Sequence, residues 1–167
     1  DKTVLRLGDI IIPNKGKVYQ EFKRKYPITD ISTLEKVLGK IKKYSYHYSK
    51  FINPQNESDI DVRNQLIQIN KLEINVAYPF LLEVYNDYNT NVINKHIILE
   101  VLDLLQSFTW RRFIIGLPTN ALNKIFMRLY EDIETADYIL SLQKSLIKKK
   151  STQRFPGDKE ILATLKE

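Results

Sequence analysis

The sequence predicts an all-α fold, an irregular bundle of about seven or eight helices with a central apolar helix near residues 92–115. Three observations carry this. Glycine is scarce, at 5 of 167 residues. Apolar side chains recur at three- and four-residue spacing along most of the chain, the period of an amphipathic helix. The breaks between such stretches hold prolines or Asn, Asp, Ser and Thr, which stop and start helices.

The elements follow in order. Residues 1–16 read as an incoming linker, in which Thr3 to Leu7 would end a helix, Gly8 breaks it and Ile10 to Asn14 run extended. Val18, Tyr19, Phe22 and Tyr26 share a helical face that Pro27 ends. The next helix starts at Ser32, whose spacing to Glu35 makes a capping box, and its stripe runs Leu34, Val37, Leu38, Ile41, Tyr44 or Tyr48, and Phe51. A third spans about 58–72 with Ile60, Leu66, Ile67, Ile69 and Leu72 inward, and Pro79 precedes a fourth from Phe80 to Tyr85. The fifth, about 92–115, is expected to be the longest. It is apolar almost all round, the character of a helix central in its domain. Thr119 or Asn120 caps a sixth helix, and a seventh from about 135 turns Tyr138, Ile139, Leu142, Leu146 and Ile147 inward. On this reading residues 17–150 form the helical domain. Residues 151–167 form an exposed basic exit linker and a truncated helix leading to a further domain.

Composition bounds the function. The chain has 43% hydrophobic and 28% charged residues, the balance of a folded domain. No apolar run approaches the roughly 18 residues of a membrane span. Cysteine is absent, which excludes disulfides and thiolate metal sites and fits a cytoplasmic location. Asp1 opens the chain in place of Met, consistent with a fragment of a longer protein. Residues 1–50 carry 12 basic and 5 acidic side chains, residues 51–143 carry 7 and 12, and residues 144–167 carry 7 and 3. That basic–acidic–basic order suits a phosphate backbone near both ends, with lysine-rich solvated helix faces as the plainer account. The candidate DNA contacts are Lys40, Lys42, Lys43, Lys50, Lys148, Lys149, Lys150 and Arg154.

The inventory for catalysis is thin. His47 and His96 are the only histidines, and no His-x-x-x-His or Glu-x-x-His spacing occurs. There is no phosphate-cradling glycine loop and no nucleophile elbow. Asp59 and Asp61 beside Glu57 stand at a helix start, where carboxylates meet the macrodipole. Glu131, Asp132, Glu134 and Asp137 read as a solvated acidic face. Tyr44, Tyr46 and Tyr48 alternate on a helix, so they cannot form one stacking platform. No catalytic residue, metal ligand or cofactor site is assigned.

The stretch from Arg111 to Phe126 stands out. Two adjacent arginines interrupt an apolar helix, Gly116 and Pro118 stop it, and Asn120 and Asn123 follow one turn apart. A buried guanidinium needs a partner. One reading pairs one arginine with an acidic residue of a neighbouring helix, such as Asp103, Glu83 or Glu73, while the other reaches solvent. The other reading points one of them at a neighbouring domain or a phosphate.

This stretch, Arg-Arg-x-x-x-Gly-Leu-Pro-Thr-Asn-x-Leu-Asn-Lys-x-Phe, resembles the helical middle region of GmrSD-type proteins, the type IV, modification-dependent restriction endonucleases of bacteria. Three further segments share the likeness: Ile12 to Lys23, Ala77 to Tyr85, and Arg154-Phe155-Pro156-x-Asp158. The resemblance implies a nucleotide-dependent domain with an Asp-Gly-Gln-Gln-Arg signature before this region and a His-Asn-His nuclease domain after it. Neither signature occurs in these 167 residues. The implied role is therefore a non-catalytic connector in phage defence, whose partners are flanking domains of the same polypeptide and, as a second candidate, DNA. Arg111, Arg112, Gly116, Pro118, Thr119, Asn120 and Asn123 carry over as a structural or interdomain motif.

Overall fold

The computed structural model describes residues 15–166, and within them the fold is all-helical. Eight α-helices run in order: α1 Val18–Lys25, α2 Ile31–Ile52, α3 Ile60–Lys71, α4 Tyr78–Asn89, α5 Lys95–Ile114, α6 Asn120–Leu129, α7 Tyr138–Lys148 and α8 Asp158–Thr164. Short 3-10 turns link several of them. The expected helix end at Thr3 to Leu7 and the lead-in at Ile10 to Asn14 lie outside the described residues. No described helix is long and apolar enough to cross a membrane.

Local chemistry sets most boundaries. Asp30 accepts the amide of Thr33 at 2.7 Å, so α2 begins before the Ser32–Glu35 box expected to start it. The aspartate is an equally good N-cap and comes first in the chain. Asp59 caps α3 through the amides of Asp61 and Val62, and Asn94 caps α5 through that of Ile97. Lys95 then bridges Asp59 at 2.9 Å and Asp61 at 2.6 Å, tying the start of α5 to that of α3. At the other end of α5, the amide of Leu117 donates to Arg112 O and that of Gly116 to Phe113 O. Gly116 sits at φ +68°, which completes a Schellman stop that favours glycine.

Packing places α4 at the centre. Its residues Phe80 to Tyr85 are all buried, and it packs against α2, α5 and α6. Beside it α5, which the sequence marks as central, packs against α3, α4, α7 and α8. That helix buries Ile98, Val101, Leu102, Leu105 and Phe108, but its far side leaves Trp110 and Phe113 exposed. At 20 residues it is also shorter than α2, which has 22. Two further inward assignments fail: Ile60 and Ile147 are exposed. On α7 the small Ser141 and Ser145 are buried instead.

Candidate functional site

The Arg111–Arg112 corner is a clamp on the segment that leads into α8. Both arginines lie in the last turn of α5. Arg112 is 2% exposed, and among the described residues it has no carboxylate partner. Its Nη1 donates to Arg154 O at 3.2 Å, its Nη2 donates to Pro118 O at 3.0 Å, and its guanidinium lies over the Phe108 ring. One planar fork thus holds two carbonyls from two chain segments, a geometry an ammonium cannot copy. Burial first, and then the charge of Arg154, disfavour its protonated form. Its Nε and the Thr109 hydroxyl, one turn earlier, have no hydrogen-bond partner in the described structure.

Arg111 reaches the same segment from the side. Its Nη1 donates to Pro156 O at 3.1 Å, its Nη2 meets Asp158 Oδ1 at 2.6 Å, and its Nε meets Ser107 Oγ at 3.3 Å. Phe155 lies beneath that guanidinium and packs on Phe108, with ring centroids 5.3 Å apart. Pro156 is buried, and Arg154 in turn pairs with Glu160 of α8.

These contacts correct three expectations. Arg111 pairs with an acidic residue of a neighbouring helix, but with Asp158 of α8 and not Asp103, Glu83 or Glu73, and Arg112 is buried where one arginine was expected to reach solvent. Residues 154–158 are not an exposed linker, because the Phe155 ring and the buried Pro156 hold them on α5. Asn120 and Asn123 are exposed, and Thr119 at the start of α6 makes no side-chain cap. The structure brings together Arg111, Arg112 and Pro118 with Arg154, Phe155 and Asp158, two motif segments about forty residues apart.

The candidate DNA contacts scatter. Lys42 and Lys43 are exposed on α2, and Lys40 is half-buried there. Lys50 is 5% exposed: its Nζ sits 3.0 Å from Glu57 Oε2, between the rings of Tyr46 and Tyr85. It is a core ion pair and cannot meet a phosphate. Lys148 and Lys149 line a cleft with Glu131, Asp132, Glu134 and Asp137, and Lys149 lies 3.7 Å from Asp132. Lys150 is exposed, while Arg154 is bound to Ser151 O and Glu160.

A second polar constellation, absent from the sequence reading, runs along α4. Glu83 accepts from Tyr44 Oη at 3.2 Å. One turn on, Asp87 accepts from Tyr130 Oη and Tyr138 Oη, each at 2.8 Å. All of these groups are buried. Burial, and after it the nearby carboxylates, raises the pKa of all three phenols above the usual 10. The signal was the i, i+4 spacing of Glu83 and Asp87 inside an otherwise apolar helix. His47 is 3% exposed, and among the described residues neither ring nitrogen has a hydrogen-bond partner. Desolvation, with Lys43 and Lys50 nearby, pulls its pKa from 6.5 to about 4. His96 is exposed beside Glu100. Among the described residues no group of three or more His, Cys, Asp or Glu side chains is placed to hold a metal ion.

No protein-family model, no curated protein and no solved structure matches the chain.

Proposed function

We propose that the chain is a non-catalytic helical connector of a bacterial DNA-restriction endonuclease, transmitting between a nucleotide-dependent domain before it and a His-Asn-His nuclease domain after it. The observation that supports this most is the clamp. A connector that only tethered its neighbours would let its outgoing segment swing. Here the buried fork of Arg112 and the Arg111–Asp158 pair seat residues 154–158 on α5, so α8 extends the body of the domain. The residues on both sides of that contact are those that carry the resemblance to GmrSD-type proteins. In this reading the fragment needs no cofactor of its own.

The reading frame on either side of these 167 codons tests the family. An Asp-Gly-Gln-Gln-Arg signature upstream with a His-Asn-His pattern downstream supports the proposal, and a frame lacking both defeats it. A complementary assay offers the chain modified and unmodified duplex DNA with magnesium or manganese. Turnover that disappears on Asp59→Asn would make this fragment the nuclease and overturn the connector role.

The second reading is a helical nucleic-acid-binding module, favoured by the exposed Lys42 and Lys43 on α2. Its mark is duplex binding that weakens steeply with salt and is lost in a Lys42→Glu/Lys43→Glu variant. The burial of Lys50 and the carboxylates around Lys148 and Lys149 reduce the basic surface this reading can use.

A further inference from the structure

Three guanidiniums gather at the segment that leads into α8. Arg111 meets Pro156 O and Asp158, Arg112 holds Arg154 O, and the Arg154 side chain pairs with Glu160. Both carboxylates belong to the first turn of α8. Arg112 is the cation left over. Its Nε has no hydrogen-bond partner among the described residues, and neither does the buried Thr109 hydroxyl one turn earlier. A buried guanidinium without a counter-charge is costly, and the neighbouring charge of Arg154 adds to that cost.

The helix that covers this cluster is lightly held. Helix α8 has seven residues and buries none of them, and a helix that short is marginal alone. The Asp158 side chain is 79% exposed, so solvent screens its pairing with Arg111. The arginines are therefore matched to weak, replaceable anions.

We infer that Arg111, Arg112 and Arg154 form a site for a phosphate group, and that Asp158 and Glu160 of α8 cover it as built-in competitors. Guanidinium forks take phosphate oxygens in pairs, more strongly than an exposed carboxylate. A phosphate also brings the negative charge that Arg112 lacks. It binds only the uncovered cluster, so it shifts the chain toward a state in which α8 is free of α5. The site goes beyond the connector reading and does not depend on it, so its failure leaves that reading standing.

The test titrates the full chain with inorganic phosphate and, separately, with a short DNA duplex. Magnetic resonance follows the arginine Nε–Hε signals and the exchange of the α8 amides. Phosphate should shift the signals of all three arginines and speed exchange at residues 161–165 relative to α4. Chloride at equal ionic strength should do neither. Asp158→Asn/Glu160→Gln should bind phosphate about tenfold more tightly, because two competing ion pairs are gone. Arg111→Gln/Arg154→Gln should keep its helical circular dichroism and lose the response. A response to duplex at lower concentration than to phosphate identifies a nucleic-acid backbone as the source, and a response to phosphate alone a free phosphate compound. No response to either probe, in the wild type and in Asp158→Asn/Glu160→Gln, overturns the proposal. So does an equal response to chloride, or binding that persists in Arg111→Gln/Arg154→Gln.

Discussion

Arg112 Nη1 lies 3.2 Å from the carbonyl oxygen of Arg154, so a guanidinium in the last turn of α5 grips the backbone leading into α8. The same group holds Pro118 O, and with it the turn between α5 and α6. Among the described residues no carboxylate meets Arg112, so its contacts are those of a hydrogen-bonding clamp and not an ion pair. Hydrogen bonds from a charged donor are each worth roughly 1.5–3 kcal/mol, which works against the cost of burying the charge.

Arg112→Ala should therefore lower stability by about 3 kcal/mol or more, since it strands two carbonyls and opens a cavity. Arg112→Lys keeps the charge but cannot span both oxygens, and should lose about 2 kcal/mol. Urea unfolding of the three proteins gives both values.

Arg111→Ala should cost little by comparison, about 0.5–1 kcal/mol, because Asp158 is largely exposed and its ion pair is screened. Phe155→Ala should cost about 2 kcal/mol, because the ring fills the space over Phe108. Only the second change should speed proteolytic cleavage near residues 150–153. Limited proteolysis followed by mass measurement separates the two.

Much of the fold could be read from the residues. Helix number and order follow from apolar period, from Asp59 at a helix start, and from Gly116 as a stop. The failures share one cause: periodicity gives a helix its apolar face but not its depth. Helix α5 is apolar nearly all round, yet Trp110 and Phe113 face out, while Phe80 to Tyr85 of α4 share the middle with it. The site was half legible. Two adjacent arginines announced a partner, but Asp158 and the Arg154 carbonyl lie more than forty residues away, beyond any local pattern. The Asp87 pairing with Tyr130 and Tyr138 was hidden for the same reason.

Stability should depend on acid through His47. Its folded pKa of about 4 lies below the 6.5 of an open chain, so its contribution is fully present above pH 6.5 and is lost as pH falls toward 4. The loss by pH 4 is about 3 kcal/mol. His47→Phe should flatten that part of the pH profile of chemical denaturation.

At the alkaline end the sign reverses. Tyr44, Tyr130 and Tyr138 are buried as neutral phenols with pKa values above 10. Their contribution is complete below pH 10 and falls as the pH rises past it, where the unfolded chain ionises first. Tyr138→Phe removes one hydrogen bond to Asp87 and should cost about 1 kcal/mol at pH 7 while making the alkaline loss shallower. Thermal unfolding from pH 7 to 11 measures both.

Hydrogen exchange of the α8 amides tests the clamp most directly. A seven-residue helix has negligible protection alone, so any protection at residues 161–165 reports its docking on α5. In the wild-type chain those amides should be protected. In Arg112→Ala they should exchange at least tenfold faster relative to the amides of α4 in the same protein. Equal protection of α8 in the two proteins, measured against α4, would show that Arg112 does not hold the outgoing segment and would contradict the account.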